Sequence, residues 1–343
     1  MAAGAPLRFG VIGAGWFAAR RHIPDICAHP DAVLAAICRR NATELAVLSE
    51  HFKPKAKYTD WREMIERCSL DAVLIATPHN LHFEPAWAAL ERGLHVLLEK
   101  PMTVDPAEAR ELCRLADEQK VHLSVALNPP FWAHCHRIRG AIRDGRIGTV
   151  ESISMYWTGS AAHLFGEAPM PADLPGLVKP TIFRGDPELC GGGYFIDGGS
   201  HLVSEILWVT GLKPVRVSCI MDKTPSDRRT ALVIELENGG LATIASLGDS
   251  DFTGRRVRNT IGGSNGTITI EGFKFRTIIE SDGGPESFDE ADLPAVPGPV
   301  ANLIDAIRGR ADLESPGSHG AAVVEVIHSA YESAATGKTM RIP

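Results

Sequence analysis

Leu7-Arg8-Phe9-Gly10-Val11-Ile12-Gly13-Ala14-Gly15-Trp16-Phe17-Ala18 lies almost at the start of a 343-residue chain and decides how its first half is read. The run Arg8–Ile12 is long enough for a buried strand and too short for a helix. It ends in glycines, and helix formers follow from Trp16 until Pro24. Strand, glycine turn and helix in that order, with G-x-G-x-x-A at the turn, describe a dinucleotide cradle. Gly13 permits the tight turn, Gly15 lets the backbone approach a pyrophosphate at the helix N-terminus, and Ala18 keeps helix and strand close. Gly13, Gly15, Trp16, Phe17 and Ala18 are therefore the expected cofactor contacts of this stretch.

Outward from the turn, a βα rhythm continues. Strands are expected at Val33–Cys38, Ala72–Ala76, His95–Leu98 and His122–Ala126, with helices at Ala42–Phe52, Asp60–Cys68, Phe83–Arg92 and Pro106–Gln119. Strands alternating with helices of about ten residues mean a parallel, doubly wound sheet, hence an α/β Rossmann domain over residues 1–126. The end of the second strand bears on cofactor type. An acid there would bind the ribose hydroxyls of NAD. This chain instead continues Arg39-Arg40-Asn41-Ala42-Thr43. A guanidinium suits a phosphate, so Arg39, assisted by Arg40 or Thr43, reads as a 2′-phosphate site, and NADP is expected in preference to NAD.

Composition sets the outer bounds. At 44% hydrophobic and 22% charged the chain is an ordinary globular protein, and its net charge of −7 argues against a nucleic-acid partner. It has no apolar run of about 18 residues, which excludes a membrane helix. MAAGAPLRFG lacks the layout of a signal peptide, and seven scattered cysteines without C-x-x-C look like reduced thiols, so a cytoplasmic protein is expected.

Two loops at the carboxyl edge of the sheet, where ligands of such folds bind, carry the next chemistry. They are Ala76-Thr77-Pro78-His79-Asn80-Leu81-His82 and Glu99-Lys100-Pro101. Together with His95-Val96-Leu97-Leu98 ahead of E-K-P, they resemble the glucose–fructose oxidoreductase/inositol dehydrogenase (Gfo/Idh/MocA) family over nearly the whole chain. The resemblance implies that Lys100 lies beside nicotinamide and substrate and that the Lys100–Pro101 bond is cis. It also puts Thr77, Pro78, His82, Glu99 and Asn128 on the cofactor side. Chemically, an ammonium at the mouth of a sheet can hydrogen-bond a substrate hydroxyl and stabilise the alkoxide that precedes hydride loss. His79 and His82 share a metal-like i, i+3 spacing, but no third ligand stands near them, and no metal is expected.

Past Asn128 the pattern changes. A helix at Ala133–Arg143 leads into alternating strands at residues 152–157, 215–219, 232–236, 241–247, 256–261, 267–271 and 273–280, with Asn238-Gly239 as a hairpin turn. An α+β domain with a large, mostly antiparallel open sheet is expected over residues 127–343. His134-Cys135-His136 does not put both histidines on one helical face and is a weak metal candidate. Gly191-Gly192-Gly193 precedes Asp197 and His201, and the apolar run Leu202–Val209 follows, closed by Gly211. Residues four apart share a helical face, so a carboxylate and an imidazole can converge on one ligand. This D-x-x-x-H resembles the family's second catalytic motif. It implies that Asp197 binds a substrate hydroxyl or orients His201, and that His201 takes or returns the hydroxyl proton. Where the family often has arginines after Asn128, this chain has Pro129-Pro130. The Pro- and Gly-rich stretch His163–Glu188 reads as a loop able to cover the site, with His163, Lys179 and Arg184 as substrate candidates. Segments 300–308 and 320–336 read as two helices on the surface of the fold, and the spacing of Ala322, Val326 and Ser329/Ala330 in the second reads as core packing.

The expected activity is hydride transfer between nicotinamide and a hydroxyl-bearing carbon of a sugar, cyclitol or related polyol. Lys100, Asp197 and His201 are the expected catalytic residues, and Arg184 joins them in binding substrate. Two readings compete: glycoside hydrolysis through a transient redox step on a retained NAD, and a non-catalytic NADP-binding sensor. The resemblance also implies a homodimer or homotetramer.

Overall fold

The computed structural model describes residues 5–170, 176–251, 256–272 and 274–343. Residues 1–4 of the N-terminal stretch, 171–175 of the proposed covering loop and the expected strand start at Phe273 lie outside the described residues. The chain divides into two compact units. Unit 1 comprises Met1–Ala126, Met170–Phe183 and Pro297–Ala321; unit 2 comprises Leu127–Pro169, Arg184–Val296 and Ala322–Pro343.

Unit 1 begins with β1 (Leu7–Ile12), α1 (Trp16–Arg20), α2 (His22–Ala28), β2 (Ala32–Cys38), α3 (Ala42–Phe52) and β3 (Ala56–Tyr58). It continues through α4 (Trp61–Arg67), β4 (Ala72–Ile75), α5 (Phe83–Glu91), β5 (His95–Leu98), α6 (Pro106–Gln119) and β6 (Leu123–Val125). The six strands are parallel in the order β3-β2-β1-β4-β5-β6, the doubly wound arrangement. Helix starts follow side-chain caps: Asn41 accepts from the Glu44 amide and Asp105 from the Ala107 amide. Two elements differ from the sequence reading. Pro24 does not stop the helix, because it falls in the first turn of α2, where no intrahelical N–H is required. The edge strand β3 is only three residues long and carries no periodic signal.

Unit 2 holds α7 (Ala133–Arg143), β7 (Val150–Thr158), α8 (Pro187–Cys190) and α9 (Ser200–Thr210). Then come β8 (Pro214–Met221), β9 (Arg229–Leu236), β10 (Leu241–Leu247), β11 (Arg256–Gly263), β12 (Gly266–Glu271), β13 (Arg276–Ser281) and β14 (Glu286–Phe288). α10 (Pro299–Ile307) belongs to unit 1, and α11 (Gly317–Thr336) and β15 (Met340–Arg341) close the chain. The nine-stranded sheet runs β14-β13-β12-β11-β7-β10-β9-β8-β15. All its neighbours are antiparallel except β7 and β10. Gly239, at φ 84°, makes the β9–β10 turn that Asn238-Gly239 signalled. Alternation is clean: Ile153, Met155 and Trp157 are buried while Ser152, Ser154 and Tyr156 face outward.

The first C-terminal helix is less superficial than its sequence suggested, whereas the second buries the stripe its spacing marked as core packing. Val300, Leu303 and Ile304 of α10 join Phe9, Val11, Leu74 and Leu97 in the core of unit 1. Val326 and Ala330 of α11 are likewise buried.

Candidate active site

The glycine turn is shaped by contacts that only glycine allows. Gly13 has φ +75°, and a Cβ there would stand 2.7 Å from the backbone of Ala76 and Thr77 at the end of β4. The amides of Gly13 and Ala14 donate to the Cys38 carbonyl, which ties the turn to the end of β2. Gly15 is the N-cap of α1 and bonds no side chain. Behind it, Ala18 is buried in the core, and Trp16 lies under the Arg20 guanidinium. Phe17 is exposed and meets His22 edge-on. A backbone cradle that any side chain would fill is the geometry a pyrophosphate requires, so these residues fit a dinucleotide.

Arg39 stands at this cradle but is not alone. Its Nη1 donates to the Ala14 carbonyl at 3.2 Å, and a Cβ on Gly15 would be 3.1 Å from the same nitrogen. Its Nε donates to Glu44 Oε2 at 2.8 Å, and its Nη2 bonds the same carboxylate oxygen. An acid is thus present near the end of β2 after all, supplied from the first turn of α3 rather than from the strand. Arg40 and Thr43 are exposed.

The E-K-P loop follows β5 on the same edge of the sheet. The Lys100–Pro101 peptide is cis. His82 is fully buried, with Nδ1 2.8 Å from the Pro101 carbonyl and Nε2 2.9 Å from that of Thr77. Both partners are acceptors, so holding both takes an N–H on each ring nitrogen; burial pulls the His82 pKa down, and the two carbonyls pull against it. His82 therefore fastens the Thr77-Pro78 loop to the E-K-P loop. His79 packs edge-on against Phe183, and its ring lies 5.9 Å from that of His82. Glu99 is also held from within: His22 Nε2 lies 2.6 Å from Oε1, and the Lys100 amide donates to Oε2. Burial pushes the Glu99 carboxyl up, but the His22 bond and the charges of His22 and Lys100 outweigh it and leave the pKa lowered. Lys100 itself is partly buried. His22, on α2, gives no signal in the sequence because its partner is 77 positions away.

In unit 2 the D-x-x-x-H segment is helical with a widened first turn. Phe195–Gly199 form a π turn that runs directly into α9. The turn has room only for glycine at two positions: a Cβ on Gly198 would be 2.9 Å from the Tyr194 ring, and one on Gly199 2.2 Å from Phe195. Asp197 lies in the π turn and His201 in the first turn of α9, so the pair straddles a π-to-α junction, a feature frequent at functional sites. Asp197 is buried, and Arg184 Nε meets its Oδ1 at 2.9 Å. His163 lies close enough to Arg184 that, after burial, this charge further lowers its pKa. His201 is partly buried and tilted against the Trp132 ring.

Of the loop candidates, Arg184 meets Asp197 and His163 feels the Arg184 charge, whereas Lys179 is an exposed residue of unit 1. The loop is shorter than its sequence implied, because a 3-10 turn at Phe183–Gly185 and α8 occupy its end. Asn128 is exposed, and its carbonyl accepts the Phe131 amide. His134 and His136 diverge as expected, the first to Glu290 and the second to the Pro130 carbonyl. Beneath them, His134, Cys135 and Glu205 each bring one ligand-type atom within 4.8 Å of the others. These atoms are tied by a Cys135–His134 contact of 3.4 Å and by the Asn259 amide on Glu205.

Comparison with known proteins agrees with this fold. Residues 7–127 match the oxidoreductase family with an NAD-binding Rossmann fold, and residues 135–269 match the GFO/IDH/MocA C-terminal domain. The chain is 29% identical to D-glucoside 3-dehydrogenase of Escherichia coli over 62% of its length, but spans 56% of that relative. It is 27% identical to the rhizopine catabolism protein MocA of Rhizobium meliloti over 95% of its length and 94% of the relative's. Among solved structures, an oxidoreductase domain protein from Kribbella flavida superposes with a TM-score of 0.85 at 22% identity, covering 99% of this chain and all of that one. Levoglucosan dehydrogenase, solved with NADH, gives 0.81 at 19%, covering 98% of this chain and 99% of its own. Among the described residues no helix is long and apolar enough to cross a membrane.

Proposed function

Because the chain belongs to the Gfo/Idh/MocA family of oxidoreductases with an NAD-binding Rossmann fold, we propose that it moves a hydride between a nicotinamide dinucleotide and a hydroxyl-bearing carbon of a sugar or polyol. The observation that carries this reading lies within unit 1. The glycine cradle abuts Ala76 and Thr77, and His82 bonds Thr77 to Pro101 beside Lys100. A cradle and an ammonium on adjacent loops of one sheet edge suit a redox site. D-glucoside 3-dehydrogenase and levoglucosan dehydrogenase point to carbohydrates as the substrate class.

When bound, the nicotinamide supplies the hydride acceptor or donor. Gly13, Gly15, Trp16, Phe17 and Ala18 hold the dinucleotide on the α1 side, with Thr77, Pro78, His82 and Glu99 shaping the opposite wall. Asn128 is proposed as a further contact. Lys100 hydrogen-bonds the substrate hydroxyl and steadies the oxygen as its proton leaves. Asp197, anchored by Arg184, accepts a hydrogen bond from the substrate, and His201 carries the proton. Arg184 adds a charged contact to the same substrate.

NADP in preference to NAD rests on Arg39, with Arg40 and Thr43 beside it. Glu44 competes for the Arg39 guanidinium, so the preference is modest and the carboxylate tunes it. Assembly into dimers or tetramers is supported by the outward face of the nine-stranded sheet, where Tyr156, Ile220, Val233 and Leu241 are exposed. Incubation with NAD(P)+ and a panel of sugars and cyclitols, followed by nicotinamide absorbance, tests the function. Reduction that depends on a hydroxyl substrate is expected. Glycoside cleavage with no net nicotinamide change, or binding without turnover, would overturn it.

A further inference from the structure

The helical segment that carries Asp197 and His201 begins at Tyr194, in a chain run Gly191-Gly192-Gly193-Tyr194-Phe195-Ile196 that offers no capping side chain of its own. A helix start leaves its first amides without intrahelical partners. Here the amides of four consecutive residues are all bonded, and by only two residues from distant parts of unit 2. Gly193 N donates to Tyr331 Oη at 3.0 Å and Ile196 N to the same oxygen at 3.3 Å. Tyr194 N donates to the Asp227 carbonyl at 2.8 Å, and Phe195 N to Asp227 Oδ2 at 2.8 Å.

The two capping residues are themselves joined. Tyr331 Oη donates to Asp227 Oδ1 at 2.5 Å, and Thr230 Oγ1 donates to Asp227 Oδ2. Asp227 is fully buried. Space around the cap requires glycine. A Cβ on Gly192 would meet the Tyr331 hydroxyl at 2.6 Å, and one on Gly193 would stand 2.3 to 2.5 Å from Asp227 atoms. The triple glycine is thereby explained: it lets a borrowed cap reach the backbone.

We propose that Asp227 and Tyr331 are positioning residues for catalysis, a cap supplied from outside the segment that sets the direction of Asp197 and His201 toward the substrate. The proposal rests on the dehydrogenase reading above for what those two side chains do. The register of the π turn, and with it the aim of Asp197, follows from which amides are held. Misplacement by about 1 Å of groups that orient substrate costs on the order of a hundredfold in rate.

The test uses the full chain with Tyr331→Phe, which deletes one oxygen, and Asp227→Asn, which keeps the shape and removes the charge. Dinucleotide affinity, read by fluorescence titration, is expected to stay near wild type, since the glycine cradle belongs to the other unit. kcat is expected to fall about tenfold or more, while the pH midpoint of the rate profile moves. In parallel, the imidazole NMR titration of His201, assigned with His201→Gln, is expected to shift by about half a pH unit. Folded variants with wild-type kcat and an unmoved His201 titration would overturn the proposal and leave a merely structural cap. Should the wild-type protein oxidise no sugar, the functional reading fails, and the His201 titration still decides the cap. If Asp227→Asn does not fold, Tyr331→Phe decides between the two outcomes on its own. Hydrogen exchange on wild type needs no variant: slow exchange of the 193–196 amides supports the cap, and rapid exchange contradicts it.

Discussion

Single residues in this chain take their meaning from partners that lie on other elements. In sequence Arg39 reads as a cation waiting for phosphate, and Glu44 five positions on gives no sign of pairing with it, because it belongs to the following helix. In the fold the two are bonded beside Gly15. Glu44→Gln removes a charge-assisted bond from the guanidinium and is expected to raise the NADPH-over-NADH preference by about tenfold, while Arg39→Asp reverses the preference. Competitive titration of both cofactors reads this directly; unchanged affinities in both variants would refute a 2′-phosphate role. The glycine turn is legible in the sequence because its chemistry is local: adjacent residues set a backbone shape, whereas Lys100 is singled out only by the family motif around it. His22 on Glu99, Arg184 on Asp197 and Tyr331 on Asp227 are not legible there, since each pair joins separate segments.

Elements are legible in proportion to their length and periodicity. α7 and the alternating β7, β9 and β10 read correctly, whereas three-residue β3 and the π turn at Phe195–Gly199 do not. The latter comes with ring-against-glycine packing and a cap from distant residues, neither of which a periodicity records. Gly13→Ala forces a Cβ against the Ala76 and Thr77 backbone at φ +75°. It should cost about 1–3 kcal/mol in thermal unfolding and abolish dinucleotide binding. Retained binding would mean that the turn tolerates a side chain. At the start of β5, burial, reinforced by His122 and opposed by Asp71, lowers the His95 pKa from 6.5 to about 4. Between those values the unfolded chain takes up a proton that the folded one refuses, so this contribution is full above about 6.5 and falls as pH drops to about 4. Denaturant melts of His95→Gln should show a flatter acid limb than wild type. An identical limb would place the acid sensitivity elsewhere.

At the scale of the whole molecule, the βα rhythm and the later alternating strands announce two kinds of sheet, and both are present. The outward face of the larger sheet aligns Ile220, Ala231, Ala245 and Tyr156 in one row across β8, β9, β10 and β7. Covering that face with a second copy predicts a solution mass at least twice the 36.9 kDa of one chain. Tyr156→Asp with Val233→Asp should return it to a monomer by light scattering, and a wild-type monomer would rule out self-association through this face. In the proposed reaction Lys100 steadies the substrate oxygen while the hydride moves. Steady-state oxidation of the best sugar from a panel, compared between wild type and Lys100→Ala, tests it most directly. The expected result is unchanged folding and dinucleotide affinity with turnover reduced by at least about a hundredfold. Near-normal turnover in Lys100→Ala would contradict the claim.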